Sequence, residues 1–160
     1  MNVVVQLLAD GLVIPLVGIA VVSLLWLVPN RDKFTVYSRM LLAGLTAYFV
    51  AKLMALAWQP STERPFELLG VHPGASYLSN PGFPSDHTLF VWVIVFAVWY
   101  GTRRTWLVVL LMLLAGLVGL GRVLALVHTP LDVFGGVLAA AVGALWYVDG
   151  LRDRKKLAKK

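Results

Sequence analysis

Five apolar stretches, each near the length of a membrane-crossing helix, take up most of this 160-residue chain. A hydrocarbon core about 30 Å thick is crossed by about 20 residues of α-helix. Lipid offers the backbone no hydrogen-bond partners, so an open sheet edge cannot lie in it and helices are required. The first stretch covers about residues 3–28 and is interrupted by Asp10, Gly11 and Pro15. Its most continuous part is 12–28, and the residues before that lie at the interface or extend the helix. The others cover about residues 35–57, 85–100, 105–127 and 130–148. The expected fold is all-α: a polytopic membrane bundle of about five transmembrane helices. One domain, residues 1–151, is followed by a basic tail, residues 152–160. A hydrophobic fraction of 59% and a mean hydropathy of +0.81 exclude an ordinary soluble domain of this length. The third stretch, roughly 16 residues, rises only about 24 Å as a helix. Its outer end is therefore expected below the membrane surface, leaving a recess that a lipid headgroup enters from the side.

Charge sets the orientation. Of the 14 basic residues, Arg31, Lys33, Arg39, Arg103, Arg104 and the six of the tail fall on one side if all five stretches cross. Basic connections face the cytoplasm, so the tail is expected there and the N-terminus outside. Lys52, Arg64 and Arg122 fall toward the opposite face. The net charge of +6 thus reads as an orientation signal, and no nucleic-acid partner is expected. The opening MNVVVQLLAD lacks a basic segment and does not read as a cleavable signal peptide. With no cysteine in the chain, disulfides, thiolate metal sites and thiol nucleophiles are excluded. Gly116, Gly119, Gly135 and Gly136 are expected to let helices approach closely.

The chemistry-bearing residues gather at the ends of these stretches. Pro84-Ser85-Asp86-His87 opens the third, with Ser85 or Asp86 as a natural N-cap. A helix N-terminus presents free N–H groups that suit a phosphate, and His87 is a candidate general acid in the first turn. Thr129-Pro130-Leu131-Asp132 opens the fifth, with Thr129 at the N-cap, Pro130 at N1 and Asp132 at N3. His128 stands just before it. A carboxylate bonded to one imidazole nitrogen leaves the other free to attack. Arg122 lies at membrane depth, where an arginine is costly and a functional candidate. Arg64, in the polar loop of residues 58–84, offers a second phosphate clamp. Lys52 either snorkels or reaches the site. His72 reads as a loop histidine and Asp10 as an interfacial or structural polar residue.

These residues resemble the type 2 phosphatidic acid phosphatase family, within the acid-phosphatase and haloperoxidase-like superfamily. The resemblance covers three motifs over about residues 52–132. It rests on Arg122, His128 and Asp132 at their mutual spacing, on Pro84-Ser85-Asp86-His87-Thr88-Leu89-Phe90, and on Arg64. The resemblance implies that His128 is the nucleophile and forms a phosphohistidine, that Asp132 orients it, and that His87 protonates the leaving group. Arg64, Ser85 and Arg122 would hold the phosphate, with no cofactor and no metal. Three departures stand out. The family's first-motif lysine would fall at Ala57, whereas Lys52 is twelve residues before Arg64; Gly121 occupies a frequent serine position; and the family core usually has six spans. GFPSDHT at 82–88 looks most like the bacterial undecaprenyl diphosphate phosphatases of the bacitracin-resistance type. That likeness implies a multi-pass protein of the bacterial inner membrane, its site facing outside. Its partner would be a polyprenyl diphosphate or another phosphorylated lipid, and its product undecaprenyl phosphate for cell-wall synthesis. A lipid monophosphatase acting on phosphatidylglycerophosphate or phosphatidic acid is the alternative. A zinc site of His72, His87, His128 and Asp132 would be opposed electrostatically by the two arginines. A transporter or scaffold would have no use for the His–Asp pairing.

Overall fold

A computed structural model describes residues 2–148. The expected basic tail, residues 152–160, lies outside the described residues. Seven α-helices follow in chain order: α1 (Val3–Gln6), α2 (Val13–Leu27), α3 (Lys33–Ala57), α4 (Pro65–Leu68), α5 (Asp86–Thr102), α6 (Thr105–Leu124) and α7 (Pro130–Gly143). No strand occurs among the described residues. A π-helical turn, Leu7–Gly11, joins α1 to α2, so the first stretch is one continuous helical rod, Val3–Leu27. The residues before Leu12 therefore extend the helix.

Four helical segments are long and apolar enough to cross a membrane: Val3–Leu27, Asn30–Ala57, Thr105–Leu124 and Pro130–Val148. The third stretch of the expected set is α5, which at 17 residues rises about 26 Å. This shortest member is also the central one, packing against α2, α3, α6 and α7. Its inward surface is Val91, Val95 and Val98, which meet Leu16, Leu107, Leu111 and Val118 in the main core. The other helices turn large apolar side chains outward, among them Trp26, Phe34, Leu56 and Trp106, each more than 60% exposed. In water such a surface would drive aggregation; in lipid it is the solvent-facing side.

Local chemistry sets the helix ends. Val28 is extended before Pro29, as the residue preceding a proline prefers. Arg103, in the left-handed region at φ 58°, ends α5. Ser85 caps α5, its Oγ accepting the Thr88 N–H, and Thr129 caps α7 in a reciprocal capping box with Asp132. The fourth stretch stops being helical at Leu124, short of residue 127, because Leu126 takes a left-handed conformation at φ 59° and turns the chain into His128.

Small residues bring the helices together where expected, with one exception. A Cβ on Gly136 would lie 2.7 Å from the Ser85 carbonyl oxygen, and one on Gly135 would lie 2.5 Å from the Phe83 ring. Gly119 faces Val133 at 3.0 Å, and Gly143 sits against the Ala43 carbonyl. Gly116 does not join a helix contact: nothing lies within 4 Å of its Cβ position, because it is on the exposed face of α6.

Candidate active site

The helix connections on one end of the bundle are short and basic. On the other end lie the α3–α5 loop, the α6–α7 turn and the N-terminal π turn, and these build a polar site. The α6–α7 turn is stitched to the loop through successive carbonyls. Ala125 O accepts from Gly74 N at 2.9 Å, Leu126 O from Phe66 N at 3.0 Å, and Val127 O from Arg64 Nη1 at 2.6 Å. Beneath them Phe66, Ala75, Ala125 and Val127 form a small core with Ala9. His128 is thus presented by a turn whose backbone acceptors are occupied, beside a left-handed Leu126 that costs about 1–2 kcal/mol to maintain.

His128 is 5% exposed, and its Nδ1 lies 3.6 Å from Asp132 Oδ2, at ion-pair rather than hydrogen-bond distance. The same Oδ2 accepts the Thr129 N–H at 2.7 Å, so the capping box that starts α7 also aims the carboxylate at His128. Ser85 N donates to the Asp132 carbonyl at 2.9 Å, tying the start of α5 to the start of α7. Burial holds His128 below the ordinary imidazole range; Arg122 and Arg64 push the same way, against Asp132.

Arg64 is 5% exposed and is held from both sides. Nη1 donates to Val127 O, and Nη2 lies 3.0 Å from Leu78 O, Asn80 O and Asn80 Oδ1. Burial lowers the Arg64 pKa, opposed first by Asp132; an arginine keeps its charge through such a shift. Arg122, 1% exposed, bonds Asp10 Oδ1 through Nη1 at 2.8 Å, and its buried Nε has no hydrogen-bond partner. A buried donor left open calls for an acceptor. His87, in the first turn of α5, places Nε2 3.7 Å from Asp10 Oδ1. Arg64, His87, Arg122 and His128 all border one small cavity of about 20 Å³, lined as well by Leu78, Asn80, Pro81 and Gly82.

The sequence-derived residues divide as follows. Arg64, His87, Arg122, His128 and Asp132 come together. Ser85 is fully buried beneath them, with Oγ engaged by Thr88. Lys52 stands one step away, 3.4 Å from Asp86 Oδ1. His72 is exposed in the loop, and among the described residues no three His, Asp or Glu side chains gather in a metal-holding group. Asp10 is not merely interfacial; it reaches into the site. The available signal was an acid inside an apolar stretch with a lone arginine inside another, a combination that favours pairing.

An apolar groove of about 520 Å³ runs between α3 and α5, lined by Gly44, Tyr48, Leu89, Phe90 and Val93, with Lys52 and Asp86 at its polar end. Asp86 borders both the groove and the small cavity.

The chain is 34% identical over 136 residues to "Putative undecaprenyl-diphosphatase YbjG" of Escherichia coli (strain K12), covering 83% of this chain and 64% of that protein. It is 32% identical over 113 residues to "Bacitracin transport permease protein BcrC" of Bacillus licheniformis, covering 67% of this chain and 53% of that protein. The chain therefore spans between half and two thirds of the length of these relatives. No solved structure matches. The model of the PAP2 superfamily matches residues 33–156, and with that match the chain belongs to the PAP2 superfamily.

Proposed function

We propose that this protein hydrolyses undecaprenyl diphosphate to undecaprenyl phosphate and inorganic phosphate, through a phosphohistidine on His128 and without a metal. The observation that carries the reading is the His128–Asp132 pair set between two buried arginines, one of them with an open donor. In the reaction, His128 Nδ1 faces Asp132, so Nε2 attacks the terminal phosphorus. The bond to the bridging oxygen breaks, and His87 donates a proton to that oxygen. Water then attacks the phosphohistidine, His87 takes its proton, and inorganic phosphate leaves as the His128–phosphorus bond breaks. Arg122 Nε and the neighbouring α5 N–H groups suit the charge on the transferring phosphoryl group.

The groove between α3 and α5 supports a long apolar chain as the lipid's tail, since its lining is mostly apolar and Asp86 lines both it and the small cavity. The E. coli relative's name supports the diphosphate. We place the site on the outer face of the bacterial inner membrane and the tail in the cytoplasm, on the Lys/Arg asymmetry alone. One phosphatase domain over residues 1–151 follows from the same reading. The test is phosphate release from undecaprenyl diphosphate in detergent with chelator present, in competition with phosphatidic acid. Preferential release from the diphosphate is expected. Preference for the glycerolipid would replace the substrate with a monophosphate, and activity requiring added metal would overturn the mechanism.

A further inference from the structure

The π turn brings to the site a carboxylate that the reaction above leaves without a task. Asp10 Oδ1 bonds Arg122 Nη1 at 2.8 Å and lies 3.7 Å from His87 Nε2, while Oδ2 accepts the Ser76 N–H at 2.9 Å. The approach depends on Gly121. A Cβ there would lie 2.5 Å from Ala9 N and 2.7 Å from Leu8 C, so any side chain would push the turn off α6. The turn's extra backbone residue and the missing side chain therefore serve one contact, and that contact is charged.

The other carboxylates near the pocket are engaged elsewhere. Asp132 is held by Thr129 N and faces His128; Asp86 pairs with Lys52. Among the carboxylates of the described residues, Asp10 alone pairs with Arg122. Arg122 Nη1 is thereby fixed, and its open Nε is left to meet a ligand. A phosphate entering there meets two arginines, with Asp132 and Asp86 acting on the Arg64 side and Asp10 as the carboxylate that pairs with Arg122.

We propose that Asp10 is a positioning residue that fixes the Arg122 guanidinium and supplies a counter-charge limiting how tightly the pocket holds phosphate. The inference rests on the phosphate-pocket reading above. Its function is turnover: a pocket whose Arg122 lacked its counter-charge would retain the phosphate it has just released. At separations of several Å and an effective dielectric constant of about 20, one unit charge alters anion affinity by about tenfold or more. The sign separates this role from a scaffolding one. Loss of a scaffold loosens binding and slows turnover together. Loss of a counter-charge slows turnover while tightening binding.

The experiment measures binding of radiolabelled inorganic phosphate to the full chain in detergent by equilibrium dialysis, with lipid turnover alongside. Asp10→Asn keeps the shape and an acceptor oxygen. It is expected to bind phosphate about tenfold more tightly than the native protein and to turn over at least tenfold more slowly. Asp10→Glu keeps the charge and should bind phosphate within about twofold of native while turning over more slowly. Unchanged or weakened phosphate binding in Asp10→Asn overturns the proposal, as does tightened binding in Asp10→Glu should the Asn variant fail to fold. If the native protein binds no phosphate, or binds it equally after Arg122→Ala, the pocket reading itself fails and the inference falls with it.

Discussion

Gly136→Ala asks whether helix packing, remote from the reacting atoms, sets the geometry of the site. Gly136 lies on α7 against the first turn of α5. An added Cβ would meet the Ser85 carbonyl oxygen at 2.7 Å and Leu89 N at 2.9 Å, both backbone atoms. Ordinary contact begins near 3.4 Å, so the start of α5 must retreat by about 0.7 Å. Overpacking of this kind costs about 1–3 kcal/mol. The better helix propensity of alanine returns about 1 kcal/mol of it, leaving a net loss of about 1 kcal/mol. The effect on activity is larger. Ser85 N bonds the Asp132 carbonyl, and His87 sits two residues further on. Moving them by most of an ångström relative to His128 separates the proposed acid from the proposed nucleophile. A misplacement of about 1 Å costs on the order of 10²-fold in rate. Steady-state phosphate release is expected to fall between tenfold and a hundredfold, with only a small drop in melting temperature. Gly116→Ala, with open space around its Cβ, is the control and should keep native activity. Native-like activity in Gly136→Ala, or an equal loss in Gly116→Ala, would refute the reasoning.

Other expectations are narrower. Nucleophilic attack needs neutral His128, and burial holds its folded-state pKa below the ordinary 6.5. The neutral form then persists to lower pH, so the acid limb of kcat/KM should fall below pH 6.5; a limb above it would contradict the burial argument. Arg64→Lys removes the planar fork that bonds Val127 on one side and the 78–80 segment on the other. A lysine cannot span both, and kcat/KM should drop by about 10²-fold with the fold intact by circular dichroism. Thr129→Ala should cost about 1 kcal/mol through the lost α7 cap, read by thermal unfolding in detergent, while Thr129→Ser retains stability.

What the sequence made legible was local. The spans follow from apolar length, the start of α7 from Thr-Pro-Leu-Asp, and the shortness of α5 from the distance between Pro84 and Gly101. His128 and Asp132 are four residues apart at one cap, so their meeting needs no tertiary knowledge. Asp10 was not legible as a site residue, because its contact with Arg122 joins positions 112 residues apart and depends on the π turn fitting over Gly121. The fixing of Arg64 by backbone carbonyls was hidden for a related reason: carbonyls carry no sequence signature. Gly116 shows the limit of small-residue reasoning. A glycine permits close approach, but the face it occupies decides whether a neighbour is there.

The central claim is a covalent phosphohistidine, and trapping it is the most direct test. Purified protein mixed with terminally labelled undecaprenyl diphosphate, quenched within milliseconds in alkali, should carry label that is stable to base and lost in acid, as a phosphoramidate is. The label should map to a peptide containing His128 and be absent from His128→Ala. Rapid phosphate release by the native protein with no labelled protein at any time point, or label that persists in His128→Ala, would contradict the account.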